Sequence, residues 1–138
     1  MRKAYEKRET DKWRRALRHL KINDLLFPKH KDELSEMDPF KNFNVYKICE
    51  GNFQHCPIPL IILEIVTFEI INQCYHTKLK DISGNEIYGT FHSDCRDMIK
   101  KDRCRKGSVV ILRDVSSFRM SNGRYYLVII SKCIDRIC

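Results

Sequence analysis

Lys78-Leu79-Lys80-Asp81-Ile82-Ser83-Gly84-Asn85-Glu86-Ile87-Tyr88-Gly89-Thr90-Phe91-His92 reads as a β-hairpin. Gly84 and Asn85 tolerate the positive φ of a tight turn, and the flanking runs alternate with period two. Placing Leu79 and Ile87 inside sets Tyr75 opposite Phe91 and Thr77 opposite Gly89 on the same face. The outward pairs are then Lys80 with Glu86, Lys78 with Tyr88, His76 with Thr90, and Cys74 with His92. A slip of one residue exchanges the two faces, and this register is the one that buries Tyr, Leu, Ile and Phe. Gly89 on the inner face signals close backbone approach or a barrel corner.

Working outward, Leu60–Phe68 is a continuous β-branched run, as in a strand buried on both faces for part of its length. Ile71–Lys80 and Glu86–His92 are the next two strands. Ser93 is positioned to cap a short helix over Asp94–Lys101, which Gly107 breaks. Ser108–Val115 is a fourth strand, Ser116–Gly123 a loop turning at Asn122-Gly123, and Tyr125–Ile130 a fifth strand. Three strands, a short helix and two strands is the order of the OB-fold, a five-stranded Greek-key barrel. A five-strand sandwich leaves the helix unexplained.

The N-terminal part is helical in pattern. Trp13, Ala16, Leu17 and Leu20 form one apolar stripe in a helix over residues 3–20, with Arg14, Arg15, Arg18 and His19 on the other faces. That helix either docks its stripe and solvates its charges or lays them on phosphates. The first ten residues have little to bury. Ile22–Phe27 is a short apolar segment ended by Pro28, and Lys29–Met37 is a polar loop with room for one helical turn. Asp38-Pro39 predicts a helix start, Pro39–Cys49 a second helix, and Gly51 its stop. Asn52–Pro59 is a linker. The expected division is a helical basic extension, 1–51, and an OB-fold domain, 52–138.

Of the 138 residues, 43% are hydrophobic, enough for a core, and the formal net charge is +8. The excess is uneven: eleven Lys/Arg against four Asp/Glu in residues 1–31, two against seven in 32–72, thirteen against seven in 73–138. Two basic segments flank an acidic middle, so the charge belongs to particular surfaces and suits a polyanionic partner. The seven cysteines are odd in number and lack a CxxC spacing. The N-terminus has no apolar signal-peptide run and no segment is long enough for a membrane helix, so the expectation is an intracellular chain with reduced thiols.

OB-folds bind oligonucleotides on the outer face of strands two and three and on the loops after strands one and four. That face offers His76, Lys78, Lys80, Tyr88 and Thr90, and Arg113, Phe118, Arg119 and Arg124 lie on or beside the fourth strand's loop. Cations track phosphates and flat rings stack on bases, which is the chemistry of single-strand binding. A protein-interaction OB module and an RNA-binding one are the alternatives. Cys74, His76 and His92 share a face but do not complete a tetrahedral metal site. No Gly-rich phosphate loop, HExxH motif or oriented nucleophile is present, so neither an enzyme nor a cofactor is expected.

Leu79–His92, then Lys106–Val115, then Phe118 and Tyr125-Tyr126-Leu127-Val128 resemble the family of the homologous recombination OB-fold protein. That family has a KDxTGEIxGTxH hairpin, a GSVLLLKxVxVF strand and an HYLNV last strand. Weaker similarity reaches Trp13, Phe43-Asn44-Val45 and Cys56-Pro57-Ile58-Pro59. The resemblance implies a nuclear, non-catalytic factor in homologous recombination and DNA repair. It would bind DNA with a preference for single strands and recruit a hexameric helicase of the minichromosome-maintenance type. This chain adds Asn85 in the turn and lacks the long N-terminal region that carries helicase contacts in the family.

Overall fold

The computed structural model describes residues 2–27 and 31–138, with side chains described from residue 11 onward, Leu26 excepted. The expectations for the first ten side chains and for Pro28 and Lys29 lie outside the described residues. The helices are α1 (Arg2–His19), α2 (Lys31–Ser35), α3 (Val45–Cys49) and α4 (Arg96–Lys101), with 3-10 turns at Asp24–Leu26, Ser93–Cys95 and Ser131–Cys133. The strands are β1 (Ile58–Ile71), β2 (Cys74–Lys80), β3 (Glu86–Phe91), β4 (Val109–Arg119), β5 (Tyr125–Ile129) and β6 (Ile134–Ile137).

The sheet order is β1-β2-β3-β5-β4-β6, and a β1–β4 pairing closes the first five strands into a barrel. All pairings are antiparallel except β3–β5. With α4 between β3 and β4, this is an OB-fold, as the strand–helix order predicts. Strand β4 makes closure possible by changing partners: Val109–Val115 lie along β1 and Ser116–Arg119 along β5. Asp114, with φ of 52°, sits at the change-over. A left-handed residue there bends the strand, and Asp is among the few side chains that accept that conformation readily.

The quoted hairpin has the predicted register from Tyr75↔Phe91 through Lys80↔Glu86; the outermost expected pair, Cys74 with His92, does not form because β3 ends at Phe91. Asp81 holds its turn. One carboxylate oxygen accepts from Ser83 N (3.0 Å) and Asn85 N (3.1 Å), and the other accepts from Val45 N (3.0 Å). One buried carboxylate therefore caps both the turn and the first turn of α3. Gly89 is tight as expected: a Cβ there would lie 3.1 Å from Leu79 Cδ1 and 3.4 Å from the Leu127 carbonyl.

Several element boundaries differ from the sequence reading. The Ile71–Lys80 run is broken by a two-residue turn at Asn72-Gln73, both at positive φ, so β1 reaches Ile71 and β2 starts at Cys74. Two left-handed residues in that position match the strands' right-handed twist. The second helix starts at Val45 rather than Pro39, because Asn44, not Asp38, supplies the cap: its side chain accepts from Lys47 N at 2.9 Å. His92 rather than Ser93 caps the 3-10 turn before α4, through Nδ1 and Asp94 N. Gly107 does not break α4, which ends at Lys101. Strand β4 runs four residues past Val115. β6, unanticipated, pairs with β4 at Val110 through Leu112.

Two apolar clusters result. One fills the barrel from Ile61, Leu63, Ile65, Leu79, Ile87, Phe91, Val110, Leu112 and Leu127. The other lies outside it, where Trp13, Ala16 and Leu17 of α1, with Phe27, Leu34 and Phe40, cover Ile62, Val109 and Ile111. This is why β1 is buried on both faces from Ile61 to Ile65.

Candidate nucleic-acid interface

The outward side chains of the barrel fall into cross-strand rows set by the registers. One row is Thr67–Lys78–Tyr88–Tyr126–Phe118, across β1, β2, β3, β5 and β4. The next is Glu69–His76–Thr90–Val128–Ser116. In the first row Lys78 Nζ lies 5.6 Å from the Tyr88 ring centroid, and the Phe118 and Tyr126 rings are 5.7 Å apart at 30°. Neighbouring aromatics on one sheet face support each other's orientation and form a shared flat surface.

Tyr88 is 53% and Phe118 46% exposed, unusual for residues of that size in ordered strands. A groove of about 710 Å³ runs along this face. His76, Lys78, Tyr88 and Thr90 form its floor, Thr67 and Glu69 one wall, and Arg119, Met120 and Ser121 of the β4–β5 hairpin the other. No residue of the α1 cluster lines this groove.

Two smaller hollows flank the tip of the β4–β5 hairpin. One, of about 380 Å³, lies between Phe53–Pro57 and Ser116–Arg119 and includes Phe118. The other, of about 650 Å³, includes Tyr88, Met120, Arg124, Tyr125 and Cys49. The hairpin tip is held by three bonds: Met120 N to Arg124 O (2.7 Å), Gly123 N to Met120 O (2.9 Å), and Arg124 N to Asn122 Oδ1 (2.9 Å).

Of the nine predicted binding residues, His76, Lys78, Tyr88, Thr90 and Arg119 share the groove, and Phe118 and Arg124 line the flanking hollows. Lys80 and Arg113 lie elsewhere. Lys80 does face outward, but an irregularity in the β1 register between Ile65 and Thr67 divides the outer surface. Lys78 pairs with Thr67 on the groove side, whereas Lys80 pairs with Glu64 on the α1 side. There Glu64 accepts from Trp13 Nε1 at 2.8 Å and meets Lys80 Nζ at 3.3 Å. Arg113, opposite Leu60, bonds Asp135 of β6 at 3.0 Å.

Tyr126 is the aromatic groove residue that the sequence reading missed, along with the wall residues Thr67, Glu69, Met120 and Ser121. Alternation along Tyr125–Ile129 already points Tyr126 outward. Its place beside Tyr88 comes from the parallel β3–β5 pairing, which no local pattern encodes. Among the described residues, no group of three or more His, Cys, Asp or Glu is arranged to hold a metal ion. Burial pushes the Cys95 and Cys104 thiols up to about 12, so both are protonated at neutral pH.

The barrel is similar to a solved structure assigned as an aspartyl-tRNA synthetase of Leishmania major Friedlin, at 13% identity and a TM-score of 0.50, covering 69% of this chain and 19% of that one. A second structure, described as "Structural mimicry for functional antagonism", matches at 15% identity and a TM-score of 0.48, covering 62% of this chain and 39% of that one. The chain thus spans about a fifth of the synthetase, and at such identities the first likeness shows the fold alone. A search of the curated proteins finds no match. The family model of the homologous recombination OB-fold protein matches residues 57–138, which hold all six strands and more than half of the chain. With the barrel, its helix and the predicted hairpin register in place, that match makes this chain a member of the homologous recombination OB-fold protein family.

Proposed function

We propose that the chain is a non-catalytic accessory factor of homologous recombination and DNA repair that binds single-stranded DNA in the groove over β2, β3, β5 and β4. The observation that carries this reading is the outward-facing row Lys78–Tyr88–Tyr126–Phe118 beside Arg119, with Tyr88 and Phe118 exposed. A duplex hides the base faces, whereas a single strand can lay them on Tyr88, Tyr126 and Phe118, each stacked base contributing about 1–3 kcal/mol. Lys78 and Arg119 sit where the phosphates would run. The groove runs from β1 across β2 and β3 to the β4–β5 hairpin, a course along which several nucleotides of a flexible strand can lie.

The preference for DNA over RNA, action in the nucleus and a link to a hexameric minichromosome-maintenance-type helicase are part of the proposal and rest on family membership. No described helix is long and apolar enough to cross a membrane. Fluorescence anisotropy with labelled single-stranded DNA, its duplex and matched RNA tests the groove. The expected order is single-stranded DNA tightest, with affinity falling steeply with salt, because binding releases cations condensed on the phosphates and added salt lessens that gain. No binding at low salt would overturn the reading and favour a protein-interaction module. Co-purification with the helicase tests the partner separately.

A further inference from the structure

We infer that the hollow between α3 and the β4–β5 hairpin is a nucleobase pocket that takes one base carrying an exocyclic amine, cytosine above all, from a strand lying in the groove. The inference rests on the groove reading above and extends it to base selection.

The pocket joins the groove directly, since Tyr88 and Met120 line both. Met120, 46% exposed at the hairpin, stands between them as a ridge around which consecutive bases can splay. Its volume of about 650 Å³ is ample for a pyrimidine nucleotide. Tyr88 and Tyr125 give it flat walls. Tyr125 is set by close packing: Gly51, with φ of +86°, follows α3, and a Cβ there would lie 3.1 Å from the Tyr125 hydroxyl. The helical extension therefore contributes to the pocket, both through Cys49 and by fixing that wall.

Glu86 supplies the selection. It is exposed at the start of β3, and its cross-strand neighbour Lys80 turns away to Glu64. The Glu86 carboxylate thus has no ion-pair partner among the described residues. A carboxylate accepts hydrogen bonds and donates none, so it pairs with the N4 amine of cytosine and repels the O4 carbonyl of uracil or thymine. Arg124, on the same rim, is placed to meet the phosphate of the splayed nucleotide.

The test compares oligo-dC with oligo-dU of equal length by anisotropy on the full chain, since the bases differ at position 4, amine against carbonyl, and at N3, which accepts in cytosine and donates in uracil. The expected result is about tenfold tighter binding of oligo-dC. Glu86→Gln should bring the ratio to within about twofold, because an amide both donates and accepts. Asp97→Asn, which removes an exposed carboxylate of α4 outside the groove and both hollows, should leave the ratio in place. Equal affinity for the two oligomers, or a ratio that follows Asp97 instead of Glu86, overturns the pocket and leaves the groove standing. Loss of binding to both oligomers by the unmodified chain overturns the groove reading as well.

Discussion

The outer surface of this barrel has two sides with opposite treatment. On one, Ile62, Val109 and Ile111 are aliphatic and sealed under Trp13, Ala16, Leu17, Phe27, Leu34 and Phe40. On the other, Tyr88, Tyr126 and Phe118 are aromatic, and Tyr88 and Phe118 stay exposed beside Lys78 and Arg119. Burying an aliphatic side chain removes roughly 1.5–3 kcal/mol of exposed apolar cost, so the helical extension covers the side where it gains most. The aromatic side keeps its cost on the surface, the usual mark of a face built for a partner.

The largest expected effect lies on the sealed side. Trp13→Ala removes a buried indole and the donor to Glu64, and should lower stability by about 3–5 kcal/mol in denaturant unfolding. The fraction still folded should bind single strands normally; weakened binding by folded protein would show that the two sides are coupled. On the open side the order reverses. Tyr88→Ala and Tyr126→Ala should each weaken binding by about 1–3 kcal/mol in anisotropy while changing the unfolding midpoint little. Unaltered affinity in both variants would remove the stacking row from the argument.

Two lysines two residues apart sharpen the contrast further. Lys78→Ala should weaken binding and reduce the slope of log affinity against log salt by about 0.7, one phosphate's share for a single strand. Lys80→Ala should leave that slope unchanged and instead lower stability, since it strips the partner from buried Glu64. Equal slopes for the two variants would mean that the register irregularity in β1 does not divide the surface as described.

The last comparison concerns alkaline pH. The buried thiols of Cys95 and Cys104 titrate in the folded chain at about 12, above their ordinary value. The protonated form is thus favoured by folding, and this contribution is fully present below the ordinary thiol pKa. It is lost as pH rises through the window between that value and about 12, where only the unfolded chain has ionised. Unfolding midpoints should therefore fall as pH climbs through that window, and serine at both positions should flatten the decline.

The hairpin was legible because its signals are local and redundant: alternation gives the faces, Gly84 places the turn, and a slipped register would bury lysines. The α1 stripe was legible for the same reason, at period 3.6. β6 was not. Ile134-Asp135-Arg136-Ile137 is four residues without alternation, and it becomes a strand only because β4 offers it an edge. The helix expected at Pro39 illustrates the opposite error: Asp38-Pro39 is a sound local start, but Asn44 and the Asp81 carboxylate, thirty-seven residues beyond Asn44, together hold the start at Val45.

By itself the sequence determined which side chains point out of the barrel, because strand alternation is a property of the backbone. It could not say which outward side chains are neighbours. On a closed barrel, outward covers every direction, so Lys78 and Lys80 obey the same rule and meet Tyr88 and Glu64 respectively. Tertiary structure decided that, through the parallel β3–β5 pairing that sets Tyr126 beside Tyr88 and the β1 irregularity that turns Glu64 toward Trp13. Both depend on how distant strands pair, and that pairing is chosen by the burial of the whole core rather than by any one segment.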